Sequence, residues 1–434
     1  MEQDIFEPGG EGRFKSIFRA FRSRNYRLFL SGQSVSLIGT WMQQTALGWL
    51  VYRLTGSAFL LGLVAFASQV PSFFIAPIAG VVVDRWNRHH VLLATQALAM
   101  LQASLLAFLV LTGTVQVWHI LVLAVFVGLI NAIDMPNRQS FVLQMIEDKK
   151  LLGNAIALNS SMVHATRMIG PPIAGVLIAL WGEGVCFFIN AISYIAVLTS
   201  LCLMRDIPKN GSKQDINAFQ SLKEGFSYAF GFLPIRSIIL LLAYTSLVGM
   251  PFMVLLPVFA KDIFHGDSHT LGIMTGVTGL GSLAGALFLA SRRSVAGLEK
   301  IILIASTTLG LGLLALAQTR LLPLALAVLL FTGFGMMVQL TSSNSVLQTI
   351  VDEDKRGRVM SFYTMAFMGT LPFGSLIYGA LAHRIGALHT VLAGGILCLA
   401  GSLLFARRID SLRQQISPIY MKLGILPGTG PEGR

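Results

Sequence analysis

Arg167 is the residue with the most chemistry at its disposal in the least polar surroundings of the chain. It lies in NSSMVHATRMIGPPIAG, within an apolar stretch that starts near Ala155. Ser160, His164 and Arg167 share one helical face. At 1.5 Å per residue Arg167 is about 18 Å along that helix, near the middle of a bilayer if the stretch spans one. A guanidinium at that depth is costly unless it faces water or a partner. It therefore either lines a cavity or is satisfied by backbone carbonyls. A second set, Asn131, Asp134 and Arg138, is spaced for one face of another apolar stretch. Asp134 and Arg138 form an (i, i+4) pair that lowers the cost of both charges. The pair reads equally as a structural tie and as a site that binds and releases protons. A third set, Gln33, Ser36, Thr40 and Gln44 beside Trp41, makes a polar stripe that fits either packing or a wet cavity.

Carboxylates are scarce where proton chemistry would need them. Asp134 is the one acid expected within a span, so Asp134, Asp84 and His164 are the proton-site candidates. Met and aromatic residues recur instead: Tyr244, Met250, Phe252 and Met253 around Pro251, and Tyr363, Met365 and Met368 further on. As walls they would adapt to bulky, partly apolar molecules; as core they would be ordinary packing. No phosphate-binding loop, zinc spacing or Gly-x-Ser-x-Gly elbow occurs, so no enzyme, metal or cofactor is expected. Cys186, Cys202 and Cys398 are too scattered for a disulfide or metal framework.

The elements that must hold these residues follow from composition. Hydrophobic residues make up 54% of the 434-residue chain and charged residues 12%, and mean hydropathy is +0.71. Soluble domains carry roughly twice that charged fraction. Twelve apolar runs of about 20 residues predict twelve membrane-spanning helices, and their length argues against a barrel. With both termini on the inner side, 27 of the 32 Lys and Arg fall in inner segments and four in outer ones (Arg53, Lys261, Arg320 and Arg384). That asymmetry sets the orientation. The net charge of +12 then belongs to loops facing an anionic leaflet and needs no nucleic acid. The basic stretch from Arg13 to Arg27 runs straight into the first helix, without the pattern of a cleaved signal.

The chain divides into an N-terminal arm (1–27), a six-helix bundle (28–204), a polar linker (205–234), a second six-helix bundle (235–406) and a tail (407–434). In the linker, Phe219, Leu222, Phe226 and Phe230 sit at helical spacing and suggest an amphipathic surface helix. The bundles repeat each other. VLQMIEDKKLLG from Val142 aligns with VLQTIVDEDKRG from Val346, and the same offset of 204 pairs Gly153 with Gly357, Gly170 with Gly374, Gly175 with Gly379 and Gly182 with Gly386. Both copies run in the same direction, as parallel repeats about an axis along the membrane normal.

Two motifs carry a resemblance to a known family. GVVVDRWNRH, with Gly80, Asp84, Arg85 and Arg88, resembles the signature loop between two helices of the major facilitator superfamily. Asn87 stands where that pattern has Gly, and it tolerates a left-handed turn nearly as well. ARMIGPPIAG, with Gly170, Pro171 and Gly175, resembles the Gly-Pro motif of facilitator exporters, in which small residues allow close packing and the Pro pair favours a kink. RNYRLFLSGQSVSLIGTWMQ from Arg24 points to the branch with the enterobactin exporter and macrolide-efflux proteins. The resemblance implies an all-α membrane protein of two parallel six-helix bundles that rock around a midplane site. Asp84 and Arg85 would steady one of its states. It implies export of a siderophore or drug-like small molecule across a bacterial inner membrane, coupled to proton antiport, with both termini cytoplasmic. An importer or lysophospholipid-flipping carrier on the same fold, or a membrane receptor or scaffold that moves nothing, is the alternative.

Overall fold

The computed structural model describes residues 21, 23–146, 151–205, 226–292 and 294–426. The first bundle is α1 (Arg24–Thr55), α2 (Ala58–Arg85), α3 (Arg88–Leu111), α4 (Val117–Gln144), α5 (Leu152–Trp181) and α6 (Glu183–Cys202). The second is α7 (Leu233–Ile263), α8 (Ser268–Ala290), α9 (Leu298–Gln318), α10 (Leu322–Ile350), α11 (353–385) and α12 (Ala387–Ala406). A short helix, α13 (Ile409–Lys422), follows.

Among the described residues, eleven helices are long and apolar enough to cross a membrane. The exception is α1, which at 32 residues is long enough but too polar. Part of that polarity is paired inside the first bundle, at Gln43. The Gln43 amide donates to Gln102 of α3 (3.0 Å), and Asn190 of α6 donates to Gln43 (2.8 Å). Buried amides tolerate an apolar bundle when their hydrogen bonds are met by one another.

Proline shapes some helices and leaves others intact. α7 tightens to a 3-10 turn over Met250–Leu255, where Pro251 removes a backbone donor, and widens to a π turn over Phe259–Ile263. α11 carries a π turn over Met365–Gly369 just before Pro372. Pro171 and Pro172 lie inside one continuous helix, α5.

The repeat seen in the sequence is exact in space at several points. Gly182 and Gly386 both end a helix with positive φ, +83° and +86°, and donate to Ile178 and Ala382, themselves 204 apart. The halves cross twice, α5 over α8 and α11 over α2. A Cβ placed on Gly175 would lie 2.8 Å from the Ser268 carbonyl oxygen and 3.1 Å from the Gly272 Cα. On Gly379 it would lie 2.8 Å from the Ala58 oxygen and 2.9 Å from the Gly62 Cα. Both crossings therefore need glycine on each helix; Gly175 and Gly379 are related by the offset of 204, whereas Gly62 and Gly272 are 210 apart.

Among the described residues three hydrophobic cores form, and their membership reports how the halves meet. At the end away from the termini, a single core takes residues from both halves, such as Met42, Leu61, Ile120 and Ile178 with Phe252, Leu271, Leu313 and Tyr378. At the end where the chain enters and leaves, each half has its own core. One holds Phe29, Leu92, Phe141 and Val197; the other holds Ile238, Ile302, Leu347 and Phe405. Tyr52 of α1 hydrogen-bonds Asp262 of α7 at the joined end, and the Lys261 ammonium lies 5.5 Å from the Tyr52 ring.

The tail forms structure that its polar composition concealed. Leu412, Ile416 and Tyr420 of α13 bury one face in the second core, and Arg413 donates to Glu299 at 2.9 Å. Burial, then the nearby Glu299 carboxylate, pushes the Tyr420 hydroxyl above its ordinary pKa. Of the expected amphipathic linker helix, Phe219 and Leu222 lie outside the described residues. Its end, residues 226–231, is helical, with Phe226 stacked on Phe230 (4.3 Å) and both edge-on to Phe362 of α11.

Candidate functional site

The level at which the shared core gives way to the two separate ones is where Arg167 sits. On α1 the first bundle's own core ends at Leu37 and the shared core begins at Met42. On α5 the corresponding residues are Met162 and Ala174. Trp41 and Arg167 occupy those gaps. The Arg167 guanidinium lies over the Trp41 ring, 5.3 Å from its centroid, and Nη2 reaches the Met253 sulfur of α7 at 3.3 Å. Gly170 allows this arrangement: a Cβ there would lie 2.6 Å from the Trp41 Cβ, so α5 can approach α1 only without one. The site thus joins three helices and both halves.

Both half-buried residues of the expected α5 face, His164 and Arg167, point into this region with Ser160 exposed a turn away. His164 Nδ1 and Trp41 Nε1 are buried with no protein hydrogen-bond partner. Met253, read in the sequence either as an adaptable wall or as core packing, supplies the contact from the second half. Pro171 is buried and Pro172 packs towards α8, where a Cβ on Gly276 would lie 2.4 Å from the Pro172 ring.

The Asp134 set resolves differently. Asp134 is buried inside the first bundle, where Oδ1 accepts from Thr95 (2.7 Å) and from Gln96 (2.8 Å) of α3, and Oδ2 lies 3.8 Å from Arg138 Nε. Asn131 is exposed and takes no part. The geometry is that of a tie between α3 and α4, strengthened by Asn137, whose amide donates to the Arg88 carbonyl at 2.9 Å. Asp134→Asn preserves the Oδ1 acceptor, so transport is expected to stay within threefold of wild type. Asp134→Leu strands Thr95, Gln96 and Arg138 and is expected to cost about 3 kcal/mol, read as a lowered Tm in detergent. Loss of transport with normal Tm in Asp134→Asn would instead make this carboxylate the proton carrier.

The polar stripe of α1 does not hold together. Gln33 and Ser36 are buried in the first bundle, and Thr40 returns its hydroxyl to the Ser36 carbonyl (2.9 Å). Gln44 is exposed. The neighbouring Gln43 makes the inter-helix bonds, and only its partners, not its spacing, distinguish it. Of the signature loop, Gly80, Asp84 and Arg85 close α2, but their side chains lie outside the described residues. Arg88 opens α3. Asn87 corrects the expected left-handed turn: its φ is −68°, and its side chain caps α3 by accepting from the His89 backbone at 3.0 Å. Asn serves there as an N-cap, a role for which its carbonyl oxygen suits it.

Among the described residues, twelve long helices in two parallel repeats, crossing at paired glycines around a deep cation, form the architecture of a membrane transporter. Comparison with known proteins agrees. The family model described as transmembrane secretion effector matches residues 15–416. The chain belongs to this family of the major facilitator superfamily. It is 26% identical to the staphyloferrin A transporter of Staphylococcus aureus over 87% of this chain and 95% of that protein. It is 23% identical to macrolide efflux protein A of Streptococcus pyogenes over 85% of this chain and 93% of that protein. The solved nucleoside transporter NupG shares the fold with a TM-score of 0.70 at 12% identity, covering 88% of this chain and 98% of that one.

Proposed function

We propose that the chain exports a siderophore or drug-like small molecule across the bacterial inner membrane by alternating access, coupled to proton antiport. The observation that carries this reading is the Arg167–Trp41–Met253 contact at the boundary between joined and separate cores. A molecule there touches both halves and is reached from the end where they part. Rocking about the Gly175–Gly272 and Gly379–Gly62 crossings would part the far end instead. The relatives named for staphyloferrin A and macrolide movement support the substrate class.

In this reading 28–204 and 235–406 are the moving units, 205–234 tethers them and 407–434 packs on the second. The termini are cytoplasmic, so the molecule opens inwards. Asp84 and Arg85 bias the equilibrium between states rather than touching substrate. Asp134 is a weak proton carrier on its geometry, which leaves His164 and Asp84 as the residues to examine.

Proteoliposomes test the function. With staphyloferrin A and a macrolide as probes, radiolabelled counterflow should exceed protein-free vesicles at least fivefold for one of them. A pH gradient should drive that probe to accumulate on the acidic side, as antiport requires. Counterflow without accumulation would remove proton coupling; binding without counterflow would make the protein a receptor. Reporter fusions after Asn210 and Ser411 are expected to be active only in the cytoplasm, and periplasmic activity at either would overturn the twelve-helix map.

A further inference from the structure

Arg167 has no carboxylate partner among the described residues. The ion pairs recorded there involve Arg53 with Glu183, Arg138 with Asp134, Lys355 with Asp352 and Arg413 with Glu299. The contacts Arg167 does have are a ring face and a thioether sulfur, which is a weak acceptor. A guanidinium offers five donors in a planar fork. Beside it the Trp41 indole nitrogen, which can only donate, is buried without a protein acceptor. His164, one turn earlier on α5, also keeps a buried ring nitrogen unpaired. Arg167 and Trp41 thus bring donors and positive charge to a region with no carboxylate against Arg167 among the described residues, while the His164 nitrogen donates or accepts with its tautomer.

The fold does not require this charge. The offset of 204 that places Gly170 on Gly374 places Arg167 on Leu371. The second bundle builds the equivalent close approach, with a Cβ on Gly374 lying 2.4 Å from the Leu247 oxygen of α7, with Leu in that position. A charge that the repeat makes dispensable for packing, kept at a depth where it is costly, points to a ligand.

We propose that this site binds the carboxylate of an amphipathic organic anion, with the guanidinium of Arg167 and the indole N–H of Trp41 as its donors and Met253 against its apolar part. Arg pairs with a carboxylate through two parallel hydrogen bonds. An adaptable Met wall accepts varied apolar groups. The proposal rests on the transport reading only in calling the anion a substrate. Because Met253 belongs to the other half, an anion that displaces its sulfur from Nη2 also loosens a contact between the halves.

The probe is iodide, small enough to be independent of substrate shape. The full chain is measured in detergent, and the Trp41 signal is taken as the fluorescence component lost in Trp41→Phe. Iodide quenching of that component is expected to fall at least threefold in Arg167→Gln and to persist in Arg167→Lys, while quenching by neutral acrylamide changes by less than a third in both. Equal acrylamide quenching shows that the variants keep the local fold. Benzoate should suppress iodide quenching at concentrations where benzamide and inorganic phosphate do not. Iodide quenching unchanged in Arg167→Gln, or benzamide as effective as benzoate, overturns the proposal; phosphate matching benzoate replaces the organic anion with an inorganic one and overturns it too. This readout involves no flux. Anion binding without counterflow would refute transport and leave the site standing, whereas counterflow of an uncharged probe without anion binding would do the reverse.

Discussion

Gly175→Leu is expected to reduce transport more than tenfold at unchanged expression. The Cβ alone would lie 2.8 Å from the Ser268 carbonyl oxygen and 3.1 Å from the Gly272 Cα. Both neighbours are backbone, so α5 and α8 must separate rather than a side chain swing aside. The joined core contains Leu271 and Met274 of α8 and Ala174 and Ile178 of α5, and it cannot close around such a separation. Folding of each half should survive, since replacing a mid-helix Gly gains about 0.5–1 kcal/mol of helix propensity. Maleimide labelling at Ile263→Cys, in a Cys202→Ser background, should rise as the far end opens. Ile263 lines a concavity of about 470 Å³ there, together with Tyr52, Asp262 and residues of α11 and α12. Gly379→Leu should reproduce the defect from the other crossing. Gly357→Ala, with open space around it, should not. Transport within twofold of wild type in Gly175→Leu would mean that the far end need not close as tightly as the structure has it.

Much of this architecture is legible without coordinates because it depends on spacing. Apolar run lengths set the helices, and the offset of 204 locates both helix-ending glycines and one glycine of each crossing, Gly175 and Gly379. The loss begins where a side chain's role depends on a partner distant in sequence. Asp134 looks equally like a proton site and a tie until Thr95 and Gln96, on another helix, take its oxygen. Gln43 and Gln44 are adjacent and chemically identical, and only the positions of Gln102 and Asn190 decide that the first is internal while the second is exposed. α1 counts as polar in its sequence although the amide of Gln43 has its hydrogen bonds met internally by Gln102 and Asn190. Asn87 fits two backbone conformations by residue type, and capping of α3 selects the extended one. α13 is different: Leu412, Ile416 and Tyr420 recur every four residues, a readable amphipathic face masked by the charge around it.

The deep cation provides the second large expected effect. Arg167→Ala removes the contact between α5 and the α7 segment at Met253, together with the stacking on Trp41. It leaves no carboxylate unpaired, because none among the described residues pairs with Arg167. Insertion and Tm should therefore hold, or improve slightly as a charge leaves the midplane. Transport should nevertheless fall at least tenfold, equivalent to about 1.4 kcal/mol or more in the rate-limiting step. Arg167→Lys is expected to recover only part of it. Lysine keeps the charge but loses the planar fork and the flat stacking surface on the indole. The two variants separate charge from geometry: equal activity in both would assign the whole effect to the guanidinium's shape, and full recovery by Lys would assign it to charge. Wild-type flux in Arg167→Ala, measured at matched protein density in proteoliposomes, would show that neither matters and that the substrate passes elsewhere between the halves.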